Sequence, residues 1–376
     1  MLDPISILNY YPTYTILDEL LEKGYKKINL FVDLKNCLQS IYMRHVTLGM
    51  LENTQNGNQI DSSILSSLIS FLGFHKTFSL KRGIKITYYI FYDMGRSFWH
   101  ENVFKDYKKS RKQDDLYGLS RKNIDMYFKI LQANFLLIRD YCNSLPNVYA
   151  ICLEHFEADF IPYFLIKNKL VDMDSDACQL IYSNDKDLFQ TESLGESIFQ
   201  FIRKPQAKFL LNYKEAMNYF LKSKKDYPAE YFSTALAILG DSSDGVPGIK
   251  GIGNVWMERI LPTIIEMGDG AKNILNNAYE GNPIFIKKPK EMNKYIDLVI
   301  REEEKYGTVS RNLKLVDFNI LCRVIEEYPF MEYRKKKISI EEFIYNKNVE
   351  SYEAMRRASD FTRLELDDGS LELLYS

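Results

Sequence analysis

Eight acids stand out in this sequence: Asp33, Asp93, Glu157, Asp159, Asp185, Asp187, Asp241 and Asp244. A single Asp after an apolar run ordinarily caps the next helix or starts a turn. Eight carboxylates brought to one site would repel one another unless cations were bound among them. Oxygen ligands without clustered Cys or His favour hard cations, Mg²⁺ or Mn²⁺. Two such ions ~4 Å apart suit in-line hydrolysis of a phosphodiester. That chemistry requires no side-chain nucleophile, and no Ser/His/Asp arrangement presents itself. His155 is isolated and reads as structural. The chain has no P-loop, which disfavours an NTPase.

The elements around these acids predict how they would converge. Ile28–Val32 reads as a buried strand ending at Asp33, and Ile84–Tyr92 as a second ending at Asp93. Val148–Leu153 is a third, leading into Glu157 and Asp159 at the start of an amphipathic helix over 157–170. Gln179–Ser183 is a fourth and runs out at Asp185. Helical patterns lie between them, one starting at Asp61 or Ser62 and one over 124–138. Strands alternating with helices predict an α/β fold with a mostly parallel central sheet flanked by helices. Ligands in such sheets bind beyond the carboxyl ends of the strands, where these acids fall.

Past residue 205 the pattern turns helical, with helices expected over 213–220, 229–239 and 285–330. Between the second of these and a helix through Trp256 lies Gly240-Asp-Ser-Ser-Asp-Gly-Val-Pro-Gly-Ile-Lys-Gly-Ile-Gly253. This reads as a helix–hairpin–helix. Its Gly residues let the backbone approach closely, and amides at the start of the second helix could hold a DNA phosphate. Gly248, Lys250, Gly251 and Gly253 are the candidate contacts, and the hairpin carbonyls could hold K⁺. The expected domains are an α/β core over 1–205, a helical domain over 206–330 with its hairpin at about 229–262, and a C-terminal extension over 331–376.

A basic–aromatic stretch follows Asp93. Lys105, Lys108, Lys109, Arg111 and Lys112 face one acid, Asp106, with Phe98, Trp99, Phe104 and Tyr107 interleaved. Bases of this kind contact phosphates, and aromatic faces stack on unpaired nucleobases. A charge run is also the usual mark of a solvated helix face, but this one leaves the sheet edge directly after an expected metal ligand.

The chain has 376 residues with 46% hydrophobic and 27% charged, which excludes wholesale disorder. A net charge of −2 says nothing about partners. No apolar run approaches the ~20 residues that span a bilayer, so no membrane is expected. The N-terminal stretch lacks a basic leader and does not read as a secretory signal. Five Cys without a CxxC pair predict reduced, intracellular thiols.

Taken together, the motifs resemble the 5′-nuclease (flap endonuclease-like) superfamily, most of all its bacteriophage ribonuclease H / 5′-3′ exonuclease branch. The matching pieces are FVDLKN (31–36), FYDMGRSFW (91–99), DYKKSRK (106–112), FEADF (156–160), SNDKDLFQ (183–190) and GDSSDGVPGIKGIG (240–253). The resemblance implies a PIN-like core with a helical arch at about 94–123. It implies that Asp33, Asp93, Glu157 and Asp159 surround a first metal and that Asp185, Asp187, Asp241 and Asp244 serve a second, two Mg²⁺ or Mn²⁺ in all. Tyr107, Lys108 and Arg111 would sit in the arch, the last two on the reacting phosphate. The implied substrates are DNA with a 5′ flap or nick and RNA–DNA hybrids, cut during replication. A single-stranded-DNA-binding protein is a plausible partner, a monomer is expected, and the cytoplasm is the implied location, a host's if the chain is phage-encoded. Phe160 departs from the pattern, since many members carry a second Asp there. The competing readings are a non-catalytic structure-specific DNA-binding protein on this scaffold and a PIN-like ribonuclease; the hairpin at 240–253 argues against the latter.

Overall fold

The computed structural model describes residues 14–34, 71–73, 75–93, 97–108, 142, 145–152, 156–204 and 207–327. The helical patterns read at 61 and over 124–138 lie outside them, apart from the stretch after 70. So do Lys109, Arg111, Lys112, His155 and the C-terminal extension.

Helix α1 (Tyr14–Glu22) precedes strand β1 (Lys27–Asp33). Strands β2 (Lys85–Phe91), β3 (Val148–Ile151) and β4 (Ala177–Tyr182) follow, with helix α2 (Phe98–Val103) between β2 and β3. A 3₁₀ turn (Ala158–Phe160) leads into helix α3 (Ile161–Lys167), and a longer 3₁₀ segment (Lys186–Leu194) follows β4. Strands β5 (Ile198–Lys204) and β6 (Ala207–Asn212) close the sheet.

The sheet order is β3-β2-β1-β4-β5-β6. All neighbours are parallel except β5 and β6. The order reverses between β1 and β4, so the crevice beyond their carboxyl ends is the topological switch point at which such sheets bind ligands. Every residue of β4 is buried, and β1 is buried from Ile28 to Val32. That double-sided burial is what an apolar run in a parallel sheet predicts.

The structure departs from the sequence expectations at three points. The sheet has two further strands, and β6 carries it past residue 205 to Asn212. Residues 157–170 form a 3₁₀ turn and a short helix buried from Ile161 to Ile166, in place of an amphipathic helix. Over 285–330 the helices begin only at Lys294.

The helical part comprises α4 (Ala216–Leu221), α5 (Phe232–Leu239), α6 (Asn254–Met267), α7 (Ala271–Glu280), α8 (Lys294–Tyr306), α9 (Thr308–Val316) and α10 (Phe318–Glu327). One contiguous apolar core runs from the sheet through these helices, with Phe160, Leu236, Ile260 and Leu313 all fully buried. Phe160, the departure from the family motif, fills this core against Phe156 and Phe164. Among the described residues no helix is long and apolar enough to cross a membrane.

Candidate metal centre

The acids are delivered by several elements. Asp33 is the last residue of β1, and its Oδ2 accepts from Ser183 Oγ at 3.2 Å. Ser183 Oγ in turn accepts from the Asp185 N–H at 3.1 Å, joining the ends of β1 and β4. The Asp185 carboxylate caps the 3₁₀ segment by accepting from the Asp187 N–H at 3.1 Å. Asp93, two residues after β2, accepts from the Ala158 N–H at 2.8 Å and holds the turn carrying Glu157 and Asp159.

Asp241 and Asp244 come from the turn between α5 and α6. Strands β7 (Gly240–Asp241) and β8 (Val246–Pro247) form a two-residue antiparallel ladder there. The approach is so close that a Cβ on Gly248 would lie 1.9 Å from the Leu239 carbonyl oxygen. Asn312 of α9 braces the same turn, its Nδ2 donating to the Ala237 and Pro247 carbonyls at 2.8 Å each. Gly251 and Gly253 have open space around them, and Lys250 is exposed.

The result is one continuous acidic centre. Carboxylate oxygens of Asp187, Asp241 and Asp244 lie within 4.8 Å of one another. Asp244 also joins the other acids. The Tyr107 hydroxyl lies 2.9 Å from Asp244 Oδ2 and 3.0 Å from Glu157 Oε2. Lys108 pairs with Glu157 Oε1, and its Nζ is 3.4 Å from Asp244 Oδ2. The first and second expected ligand groups therefore meet at Asp244.

Burial and mutual repulsion set the charge state of this centre. Asp187 is held well above the usual carboxylate range, first by burial and then by Asp185, Asp241 and Asp244. Asp159 is raised likewise, by burial and then by Glu157, with Lys108 opposing. Burial, Glu157 and Asp244 drive the Tyr107 phenol far upward, so it stays protonated and has one proton to offer two carboxylates.

The donor set fits hard divalent cations. It is all oxygen, it crowds more negative charge than Lys108 and Lys186 offset, and Asp187 Oδ1 is buried without a hydrogen-bond partner among the described residues. An orphaned buried carboxylate oxygen is costly unless a cation completes it.

The basic–aromatic stretch behaves differently from expectation. Its described part is α2 and a turn through Lys108, docked on the end of α9. Trp99 Nε1 donates to the Lys314 carbonyl at 2.8 Å and His100 Nε2 to the Leu315 carbonyl at 2.9 Å. The Arg311 guanidinium covers the Phe104 ring at 5.0 Å. Tyr107 is buried against the His100 ring, centroids 4.6 Å apart. Trp99, Phe104 and Tyr107 are thus not free faces for nucleobases, because helix α9 and the acidic centre occupy them.

Several positioning residues are not among the site residues expected from the sequence. Gln200, fully buried on β5, donates from Nε2 to the Ser183 and Asp185 carbonyls at 2.8 and 2.7 Å. Gln190 donates to the Asp187 and Val316 carbonyls and accepts from the Phe318 N–H. Lys186 Nζ lies 2.9 Å from Asp241 Oδ1. A glutamine inside an apolar strand was the available signal for Gln200, whereas nothing local marks Gln190 or Lys186. Trp256, without a role in the motifs, stacks on Tyr295 with centroids 3.7 Å apart.

No family model matches the chain. A DNA polymerase I of Borreliella burgdorferi (strain ATCC 35210) is 28% identical over 167 residues, 43% of this chain but only 15% of that relative's length. Among solved structures, a bacteriophage T5 protein co-crystallized with metal ions aligns with a TM-score of 0.54 at 17% identity, over 92% of this chain and 99% of the other. The T5 flap endonuclease in a pseudo-enzyme–product complex with DNA and metal ions aligns at 0.51 and 16%, over 90% of this chain and 100% of the other. The T5 5′-exonuclease with zinc bound aligns at 0.51 and 18%, over 92% and 99%. The chain has the fold of these 5′-nucleases.

Proposed function

We propose that this chain is a metal-dependent 5′-nuclease that hydrolyses phosphodiester bonds in DNA bearing a 5′ flap, a nick or an RNA primer. One observation supports the reading: acids from β1, β2, the turn before α3, the segment after β4 and the α5–α6 turn lie at the switch point of the sheet, some linked by hydrogen bonds and others by mutual charge. Metal ions and DNA in the structures of like fold support it. Removal of primers and flaps in replication is the role that fits these substrates.

Asp33, Asp93, Glu157 and Asp159 would hold one divalent ion, Mg²⁺ or Mn²⁺, and Asp185, Asp187, Asp241 and Asp244 the other. Bound there, such ions supply a water of lowered pKa and offset charge developing on the phosphate. The chain's own residues do the positioning. Tyr107, braced by His100, holds Glu157 against Asp244. Lys108 rests its ammonium on those two carboxylates and would turn it to the scissile phosphate when substrate enters, joined by Arg111. Lys109 and Lys112 would track the single strand. Gly248, Lys250, Gly251 and Gly253, as a helix–hairpin–helix with K⁺ at its carbonyls, would grip the duplex. Residues 1–205 with β6 form the proposed nuclease core and the following helices its DNA-gripping part.

The test is Mg²⁺-dependent cleavage of a 5′-labelled flap substrate by the wild type, Asp93→Asn and Asp185→Asn. Cleavage by the wild type and a loss of at least about 100-fold in each variant, with DNA binding kept, is expected. A wild-type chain that binds the substrate without cutting it would be a structure-specific DNA-binding protein instead.

A further inference from the structure

The segment between β4 and β5 reads Ser-Asn-Asp-Lys-Asp, so a cation stands between two expected metal ligands. Lys186 is the first residue of the 3₁₀ segment, directly after its cap Asp185. That start directs its side chain across the centre to Asp241 on the α5–α6 turn, with Nζ 2.9 Å from Oδ1. The Asp241 carboxylate is almost wholly buried, while the lysine side chain stays about a third exposed, at 36%. The same Oδ1 also accepts from the Ser243 N–H at 2.9 Å and from Ser243 Oγ.

We propose that the Lys186 ammonium is a resident cation of the second acid group, competing with a divalent ion for Asp241 and so weakening that ion's binding. The inference rests on the nuclease reading above and deepens it.

Two effects of Lys186 oppose each other, and the contacts decide between them. It could help by orienting Asp241 for a metal. Ser243 already fixes that carboxylate through two donors, so orientation survives without the lysine. What Lys186 alone adds is a positive charge on a carboxylate that sits within 4.8 Å of Asp187 and Asp244. A monovalent and a divalent cation sharing one carboxylate repel strongly in a partly buried site. Lys108 stands in the same relation to Glu157 and Asp244. Each group of acids thus carries one ammonium that an incoming ion must push aside.

The test is titration of the full-length, metal-free chain with Mn²⁺, free Mn²⁺ being read by electron paramagnetic resonance. Lys186→Met should bind its weaker ion about tenfold tighter, ~1.4 kcal/mol. Lys186→Arg, which keeps the charge, should bind as the wild type does. In chelator, Lys186→Met should melt lower than the wild type, and Mn²⁺ should raise its melting temperature by more. A merely structural lysine would lower both melting temperatures and leave Mn²⁺ affinity unchanged. Unchanged or weaker Mn²⁺ binding by Lys186→Met overturns the proposal, as does Lys186→Arg behaving like Met. Lys186→Gln carries the same expectation should the Met variant fail to fold. A wild-type chain that takes up no Mn²⁺ overturns the nuclease reading as well, which separates the two failures.

Discussion

Glu192 is fully buried on the 3₁₀ segment, and neither carboxylate oxygen has a hydrogen-bond partner among the described residues. Burial holds its carboxyl well above the usual value of 4.5, with Glu215 adding to the shift. The folded chain therefore keeps a proton that the unfolded chain releases. Stability from this group is complete below pH 4.5 and is lost as pH rises through the folded value. Glu192→Met, which removes both orphaned oxygens at similar volume, should raise the melting temperature at pH 8 and flatten its pH dependence. The relief expected is roughly 1–3 kcal/mol, checked by calorimetry from pH 4 to pH 9. At the acidic centre, Lys108→Ala should cut turnover by about 100-fold or more with little loss of duplex binding. Its charge matters most once charge develops on the phosphate. Single-turnover cleavage beside a binding isotherm tests this, and unchanged turnover removes Lys108 from the reaction.

The α5–α6 turn shows how one element sets site geometry, and its glycines are not equivalent. A Cβ on Gly248 would strike the Leu239 backbone, so Gly248→Ala should force the two helices apart and cost roughly 1–3 kcal/mol. Gly251 faces open space but has φ +96°, so Gly251→Ala should cost about 1 kcal/mol through backbone strain alone. Gly253 has both open space and φ −108°, so Gly253→Ala should cost least, roughly 0.5 kcal/mol for a poorer helix N-cap. Denaturant melts of the three variants check the order, and a Gly253 loss as large as that of Gly248 would refute it. The glycine run was legible beforehand because its spacing is local. Strands β5 and β6 were not, because the partner of each is set by register across the hairpin. Only pairing Phe199 with Asn212 and Gln200 with Leu211 makes them a hairpin.

Across the whole molecule, the acids and the core are one system. Asp159 and Asp187 carry protons in the folded, metal-free chain that the unfolded chain gives up. Their contribution to stability is complete below 3.8 and falls away as pH rises through their folded values. In chelator the melting temperature should therefore drop from pH 5 to pH 8, and Mg²⁺ should restore more of it at pH 8 than at pH 5. Equal Mg²⁺ effects at both pH values would mean that no ion binds these carboxylates.

Strand-end acids, the glycine run and the Tyr-Lys pair could all be recognised in the chain as written, because each is a short pattern whose meaning depends on near neighbours. That an acidic centre forms at a sheet edge followed from the same patterns, since parallel strands point their ends one way. Folding alone decided that Tyr107 and Lys108 join Asp244 to Glu157 and that Lys186 lands on Asp241. It also turned Trp99 and His100, 215 residues away from Lys314 and Leu315, into anchors on α9. Such contacts come from packing separate elements on one core, and a side chain's partner there is set by three-dimensional register, which spacing along the chain does not encode.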